Sequence, residues 1–417
     1  MLKHYILLAT KVLLRRKFFT FISLFAISFT LLVLVIATAM LDHVFAPAAP
    51  ETRQARTIGV HAARMTGPHA GMNGYPGFKL LDRYARNLPG VEHLSMFTAA
   101  EGIASYVNGR KIQSSLKRTD GEFWQILEFA FVEGGPYSTR DVDDAQLVAV
   151  INTATRRAFF GGGPALGQTL EADGQRFRVV GVVEDVSEFR FVPFADIWVP
   201  YTTARTTAYR NEWLGNFNAI ALATDRSALP HIRDEFNSRL LRVELDDPRE
   251  YDTMVAPFGT KFEMVARELH LFMDRNDTTP QAWKLELLLG LLSVLFLMLP
   301  TVNLVNINVS RIMERGGEIG VRKAFGASSR TLVAQFIVEN VLLTLVGGVL
   351  GLALSSLVLR AFNESGVIKY AQLGVNLRVF AYDLLLALVF GLVSGVYPAW
   401  RMARLHPVDA LKGAGTQ

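Results

Sequence analysis

Few residues in this sequence have the type and spacing that covalent chemistry needs. Cysteine is absent, which excludes thiol nucleophiles, disulfides and Cys-ligated zinc or iron–sulfur sites. His61, His69 and His93 lack metal-ligand spacing and read as structural or solvated histidines. Glu244, Asp246, Asp247, Glu250 and Asp252 could hold a cation, but they lack the EF-hand spacing and its glycine. A solvated acidic face is expected there, and likewise for Glu184, Asp185 and Glu188. Gly161-Gly162-Gly163-Pro164 could cradle a phosphate. A phosphate loop of the ATPase type requires Gly-Lys followed by Ser or Thr, and that string is absent. The glycine run therefore reads as a helix-breaking turn. No Ser/His/Asp constellation stands out, so no enzyme site is expected.

The chemistry that does stand out is docking. Glu314 to Glu339 reads ERGGEIGVRKAFGASSRTLVAQFIVE. Glu318, Arg322 and Lys323 set opposite charges about one helical turn apart. Leu332, Val333, Phe336 and Ile337 recur with helical period. Gly326 interrupts the pattern, and Ser328 or Ser329 can cap a following helix. A short amphipathic helix, a glycine break and a second helix entering a membrane are expected. The segment is either a charged loop at the lipid headgroups or a docking element for a cytoplasmic partner.

The elements that must position this segment are apolar. The chain has 417 residues, half of them hydrophobic, a net charge of +5 and a mean hydropathy of +0.25, which excludes disorder. Phe18–Leu41, Leu287–Ser310, Asn340–Leu359 and Leu384–Trp400 contain no Asp, Glu, Lys or Arg. Each has roughly the 17–25 residues that a membrane-spanning helix needs. The first run could be a signal peptide, with Ala37-Thr38-Ala39 as cleavage site. It exceeds the roughly 7–15 apolar residues of a signal core and is read as a retained anchor. The expected organisation is a cytoplasmic segment at 1–17, spans at 18–41, 283–310, 332–359 and 379–400, and a cytoplasmic loop at 311–331. An extracytoplasmic domain at 42–282, an extracytoplasmic loop at 360–378 and a cytoplasmic tail at 401–417 complete it.

Basic residues before the first span, between the second and third, and after the fourth place both termini and the docking segment in the cytoplasm. Gly347 with Gly351, and Gly391 with Gly395, form GxxxG spacings that let helices approach closely. Pro300 can kink the second span. The lack of charge at mid-membrane depth argues against a proton- or ion-coupled carrier.

The long exported region alternates strand-like and helix-like patches. Gln146–Asn152, Asp196–Tyr201 and Asn218–Thr224 read as strands. Gln168–Ala172 and Gln175–Val183 flank Asp173-Gly174 as a hairpin. Thr153 can cap a helix to Phe160, and Ala228–Val243 and Met264–Asp274 read as helices. The fold class is an α+β membrane protein, with four transmembrane helices and a large mixed α/β domain inserted between the first and second.

Glu318-Ile319-Gly320-Val321-Arg322-Lys323-Ala324-Phe325-Gly326-Ala327-Ser328 resembles the signature of FtsX-like and MacB-like ABC-transporter permeases. Gly316-Gly317 stand where that family usually carries basic or polar residues. Leu13-Leu14-Arg15-Arg16-Lys17, the tail Tyr397–Leu411, and the exported stretch Phe123–Val183 with Glu133-Gly134-Gly135 are similar to the family too. The resemblance implies a permease of the cytoplasmic (inner) membrane that binds no cofactor itself. It implies an ABC ATPase as a separate subunit carrying ATP and Mg, docked on Glu314, Arg315, Glu318, Ile319, Val321, Arg322, Lys323, Ala324, Phe325, Gly326, Ala327 and Ser328.

A second permease, identical or related, would complete the transporter, with membrane lipid around it and no nucleic acid. A periplasmic adaptor and an outer-membrane channel are further partners by the same resemblance. ATP hydrolysis would move the exported domain by mechanotransmission and drive efflux, or extraction from the periplasm or outer leaflet. The alternatives are an FtsX-like regulator of cell-wall hydrolases and a membrane-anchored sensor without an ATPase.

Overall fold

The computed structural model describes residues 2–15, 17–107, 109–268, 282–295, 298, 325 and 328–403. One compact unit is built from Val44–Glu286 together with Ile368–Ala371, and the other takes the remaining described residues.

The second unit is helical. Lys17–Phe45 and Val333–Ser365 are long and apolar enough to cross a membrane by length and composition. Helix Lys17–Phe45 contains the first expected span and runs past Asp42, since a charge at a bilayer edge does not break a helix. The third expected span lies inside helix Ser329–Ser365, which Ser328 caps. The helix continues past Arg360 and ends at Gly366, in the left-handed conformation (φ 64°) that glycine adopts without Cβ strain. Residues 283–295 are helical at the start of the second expected span. The rest of that span, apart from Met298, lies outside the described residues. The fourth falls within helix Leu377–Ala403.

The unit built on Val44–Glu286, the region expected to be exported, has three sheets among the described residues. A four-stranded antiparallel sheet runs in the order Phe258–Gly259, Thr57–Val60, Phe217–Ala223, Val91–Thr98. A seven-stranded sheet runs Glu101–Val107, Arg110–Thr119, Ile197–Pro200, Val148–Asn152, Gln175–Val183, Phe131–Gly134, with Thr169–Ala172 also paired to Gln175–Val183. It is mixed: Val148–Asn152 pairs parallel with Gln175–Val183, and Ile197–Pro200 parallel with Arg110–Thr119. A third sheet orders Leu214–Gly215, Gly71–Pro76, Ala63–Thr66, Thr253–Val255.

All residues of Val148–Asn152 and Phe217–Ala223 are buried. Both strands are covered on both faces, which is why they read as continuous apolar runs instead of alternating. The expected hairpin forms, with Asp173 and Gly174 both at positive φ (48° and 65°) as a type I′ turn demands. Asn152, one residue before the expected cap, accepts from Thr155 N at 2.8 Å and caps helix Thr153–Phe160. The other expected helices appear as Leu229–Leu240 and Lys261–Glu268, and residues 269–274 lie outside the described set. The main core packs Phe97, Phe123, Trp124 and Trp198 between sheets and helices.

Candidate functional site

Of the predicted docking residues, Phe325 and Ser328 are described. Phe325 is 89% exposed. Ser328 Oγ accepts from Thr331 N at 3.2 Å, so Ser328 and not Ser329 is the cap. Glu314, Arg315, Glu318, Ile319, Val321, Arg322, Lys323, Ala324, Gly326 and Ala327 lie outside the described residues.

The predicted packing glycines divide. A Cβ on Gly347 would stand 2.7 Å from the Ile27 side chain, and one on Gly351 would stand 3.2 Å from Ser28 O. Ser28 Oγ donates to Gly347 O at 3.1 Å. Helices Lys17–Phe45 and Ser329–Ser365 thus touch through backbone. Gly348, not singled out by the GxxxG spacing, does the same toward the third helix: its Cβ would meet Leu384 Cδ1 at 2.6 Å. Gly391 and Gly395 lie in helix Leu377–Ala403.

The exported unit contributes a site that no sequence spacing announces. Residues 187–196, between strands Gln175–Val183 and Ile197–Pro200, gather three stretches of chain. Arg190 Nη1 donates to Glu51 Oε2 at 2.9 Å and to Ala48 O at 3.3 Å, while Nη2 donates to Ala46 O at 3.1 Å. The chain that follows helix Lys17–Phe45 is held this way. Lys261 Nζ, at the start of helix Lys261–Glu268, donates to the same Glu51 Oε2 at 2.6 Å. Side-chain exposures are only 6% for Arg190, 7% for Glu51 and 5% for Lys261. One carboxylate therefore ties two cations that belong to different segments. Burial pushes Lys261 below its ordinary pKa, and the Glu51 charge opposes that shift.

The third stretch is Ile368–Ala371, which follows helix Ser329–Ser365. Glu188 N donates to Lys369 O at 3.1 Å. Tyr370 OH donates to Asp196 Oδ1 at 2.7 Å, and Lys369 Nζ lies 3.4 Å from Asp196 Oδ2. Asp196 is itself fixed by Ser115 N at 2.8 Å and Asn152 Nδ2 at 3.1 Å. Tyr370 is held at φ 56°, a left-handed conformation that costs a non-glycine residue about 1–3 kcal/mol and survives where the surroundings impose it.

Segment 187–196 is anchored from beneath by Lys117. Its fully buried ammonium donates to Phe191 O at 2.8 Å and Val192 O at 2.5 Å. Burial lowers its pKa to about 7. No bond-making chemistry is built here. The arrangement ties three separate chain segments together.

The acidic residues read as solvated faces are partly paired. Asp185 accepts from Ala154 N at 2.8 Å and Arg157 Nη2 at 3.1 Å, at the start of helix Thr153–Phe160. Asp246 accepts from Lys79 Nζ at 2.5 Å and Trp213 Nε1 at 2.9 Å. His93 Nδ1 lies 2.7 Å from Glu122 Oε2, and His61 Nδ1 lies 3.0 Å from Asn218 Oδ1. Among the described residues no group of three or more His, Asp or Glu could hold a metal ion.

Residues 20–239, more than half of the chain, match the MacB-like periplasmic core domain, and residues 290–407 match the FtsX-like permease C-terminal region. The chain is 27% identical over 306 residues to the macrolide export ATP-binding/permease protein MacB of Escherichia coli O157:H7. It is 26% identical over the same length to MacB of Shigella flexneri. Each match covers 73% of this chain and 44% of the relative, so the chain spans less than half the length of these relatives. Among solved structures, the periplasmic region of MacB from Actinobacillus actinomycetemcomitans aligns at 14% identity and TM-score 0.37, over 52% of this chain and 94% of that one. The extracellular domain of the ABC-type transporter YknZ from Gram-positive bacteria aligns at 14% identity and TM-score 0.35, over 45% and 93%.

Proposed function

The chain belongs to the ABC-transporter permeases that join a MacB-like periplasmic core domain to an FtsX-like permease region, and from that premise we propose that it converts the ATPase cycle of a separate subunit into movement of its exported domain. Four helices cross the inner membrane with both termini in the cytoplasm. ATP and Mg are held by the partner ATPase, which docks on the segment around Glu318. A second permease chain completes the assembly, and the moved cargo is exported or extracted from the periplasm or outer leaflet. The curated relatives are named for macrolide export and for ATP binding in one chain. These 417 residues themselves hold no Gly-Lys-[Ser/Thr] string.

The observation that carries this reading is the buried Arg190–Glu51–Lys261 junction. A passive anchor has no use for a charged clamp between the chain leaving one helix and the chain leading to the next. A force-bearing device does, because leaving any one of these buried charges without its partner costs about 3–5 kcal/mol. The Tyr370–Asp196 contact adds a further hold from the same segment.

Affinity purification from mild detergent, with mass spectrometry of what co-purifies, tests the reading. A stoichiometric ATP-binding-cassette subunit is expected, and Glu318→Lys is expected to lose it while still inserting into the membrane. Repeated cross-linked preparations without any such subunit would overturn it.

A further inference from the structure

Phe191 and Phe194 of segment 187–196 also line a cavity of about 470 Å³ within the exported unit. Tyr75, Phe97 and Met264 complete its apolar wall, and His61 with Asn218 gives it a polar one. Small-molecule sites run to roughly 300–1,000 Å³ and combine an apolar lining with a few placed polar groups. The space is a cleft partly open to solvent, since Tyr75 and Phe191 are half-exposed, and its mostly apolar lining offers few polar partners to water held against it.

The wall also states what charge it accepts. Among the described residues Glu188 and Arg267 are its only Asp, Glu, Lys or Arg residues, and their charges are opposite. His61 is neutral: burial lowers its pKa to about 3, and its ring stands edge-on to Phe191 at 5.4 Å. An ion moved into such a wall loses its hydration without a net opposite charge in return. The His61–Asn218 pair uses one hydrogen-bonding position of an amide that has up to about four, which leaves capacity for one carbonyl or hydroxyl group.

We propose that this cleft is a binding site for a neutral, largely apolar small molecule, oriented by a hydrogen bond to Asn218 and lined by Tyr75, Phe97, Phe191 and Phe194. The site lies within the exported unit and stands whether or not an ATPase drives the chain.

The test photolabels the full chain in nanodiscs with benzophenone and, in parallel, with its anionic counterpart 4-benzoylbenzoate. Labelled peptides are then mapped by mass spectrometry. Saturable benzophenone labelling is expected on peptides containing Tyr75, Phe191 and Met264, with the anion at least about ten-fold weaker, the factor that 1.4 kcal/mol represents. Ala100→Trp, which places an indole against the wall at a half-buried position, is expected to abolish this labelling. Labelling confined to the membrane helices, failure to saturate, or equal labelling by the anion would each overturn the proposal. So would full labelling of a folded Ala100→Trp chain. The first three outcomes are read on the unmodified chain, so the test survives a variant that fails to fold.

Discussion

The two units hold their segments by opposite means. In the helical unit, Lys17–Phe45 meets Ser329–Ser365 through Gly347, Gly351 and one hydrogen bond from Ser28. Between helices surrounded by lipid there is no hydrophobic drive, so small residues and close backbone approach supply the association. In the exported unit an aromatic core is available, and yet Glu51, Arg190, Lys261 and Lys117 are buried around one segment. Buried ions seldom add net stability over apolar packing, but removing one partner is severe. On the proposed mechanism, smooth packing suits surfaces that slide or tilt, and the charged clamp suits a joint that must not open.

The sharpest way to break this contrast is Glu51→Gln. It leaves Arg190 and Lys261 buried without a counter-charge, and a loss of about 3–5 kcal/mol is expected, read as a lower thermal midpoint of the exported unit. A near-neutral result would show that the clamp is not the joint.

The next largest effect concerns pH. His61 takes up a proton near 6.5 when unfolded and only near 3 in the folded unit, because it is buried. Between those values the unfolded chain binds more protons, so stability falls as pH drops through that window. His61→Gln should make the acid dependence shallower between pH 6.5 and 3 in denaturant titrations, and an unchanged slope would refute the assignment. The smallest effect belongs to the helices. Gly347→Ala presses on Ile27 and should cost about 1–3 kcal/mol of thermal stability in detergent. Ile27→Ala in the same chain should recover part of it, and no recovery would mean that the close approach does not hold the helices.

Local chemistry made a good part of this molecule legible. The hairpin at Asp173-Gly174 could be read because a two-residue turn demands positive φ at both positions. The buried strands Val148–Asn152 and Phe217–Ala223 could be read from their continuous apolar runs. The errors also have local causes. Asn152 took the cap assigned to Thr153, because both side chains can accept the same kind of bond and only backbone geometry chooses between them. The helix that holds the third expected span continues past Arg360 to Gly366, since hydropathy reports where an apolar run stops and not where helical hydrogen bonding stops. Gly348 was passed over because a GxxxG spacing marks one helix face, whereas this helix packs against two others.

The candidate site divides the same way. Apolar run length, basic loops and the Glu318–Ser328 string are properties of neighbours along the chain, and they set the membrane organisation, the family and the docking segment to be expected. Glu51, Arg190 and Lys261 are separated by more than a hundred and thirty positions and by seventy-one (|i−j| of 139 for Glu51–Arg190; 261 against 190). None carries a local signature, and each reads alone as a solvated charge. Their pairing arises only where strand order brings the three segments together and excludes water. The cavity beside Phe191 has the same origin, since its walls come from separate strands, a loop and a helix. Sequence determines what each stretch can do with its neighbours. Only the tertiary structure decides which charges lose their water, and a charge that has lost its water must find a partner.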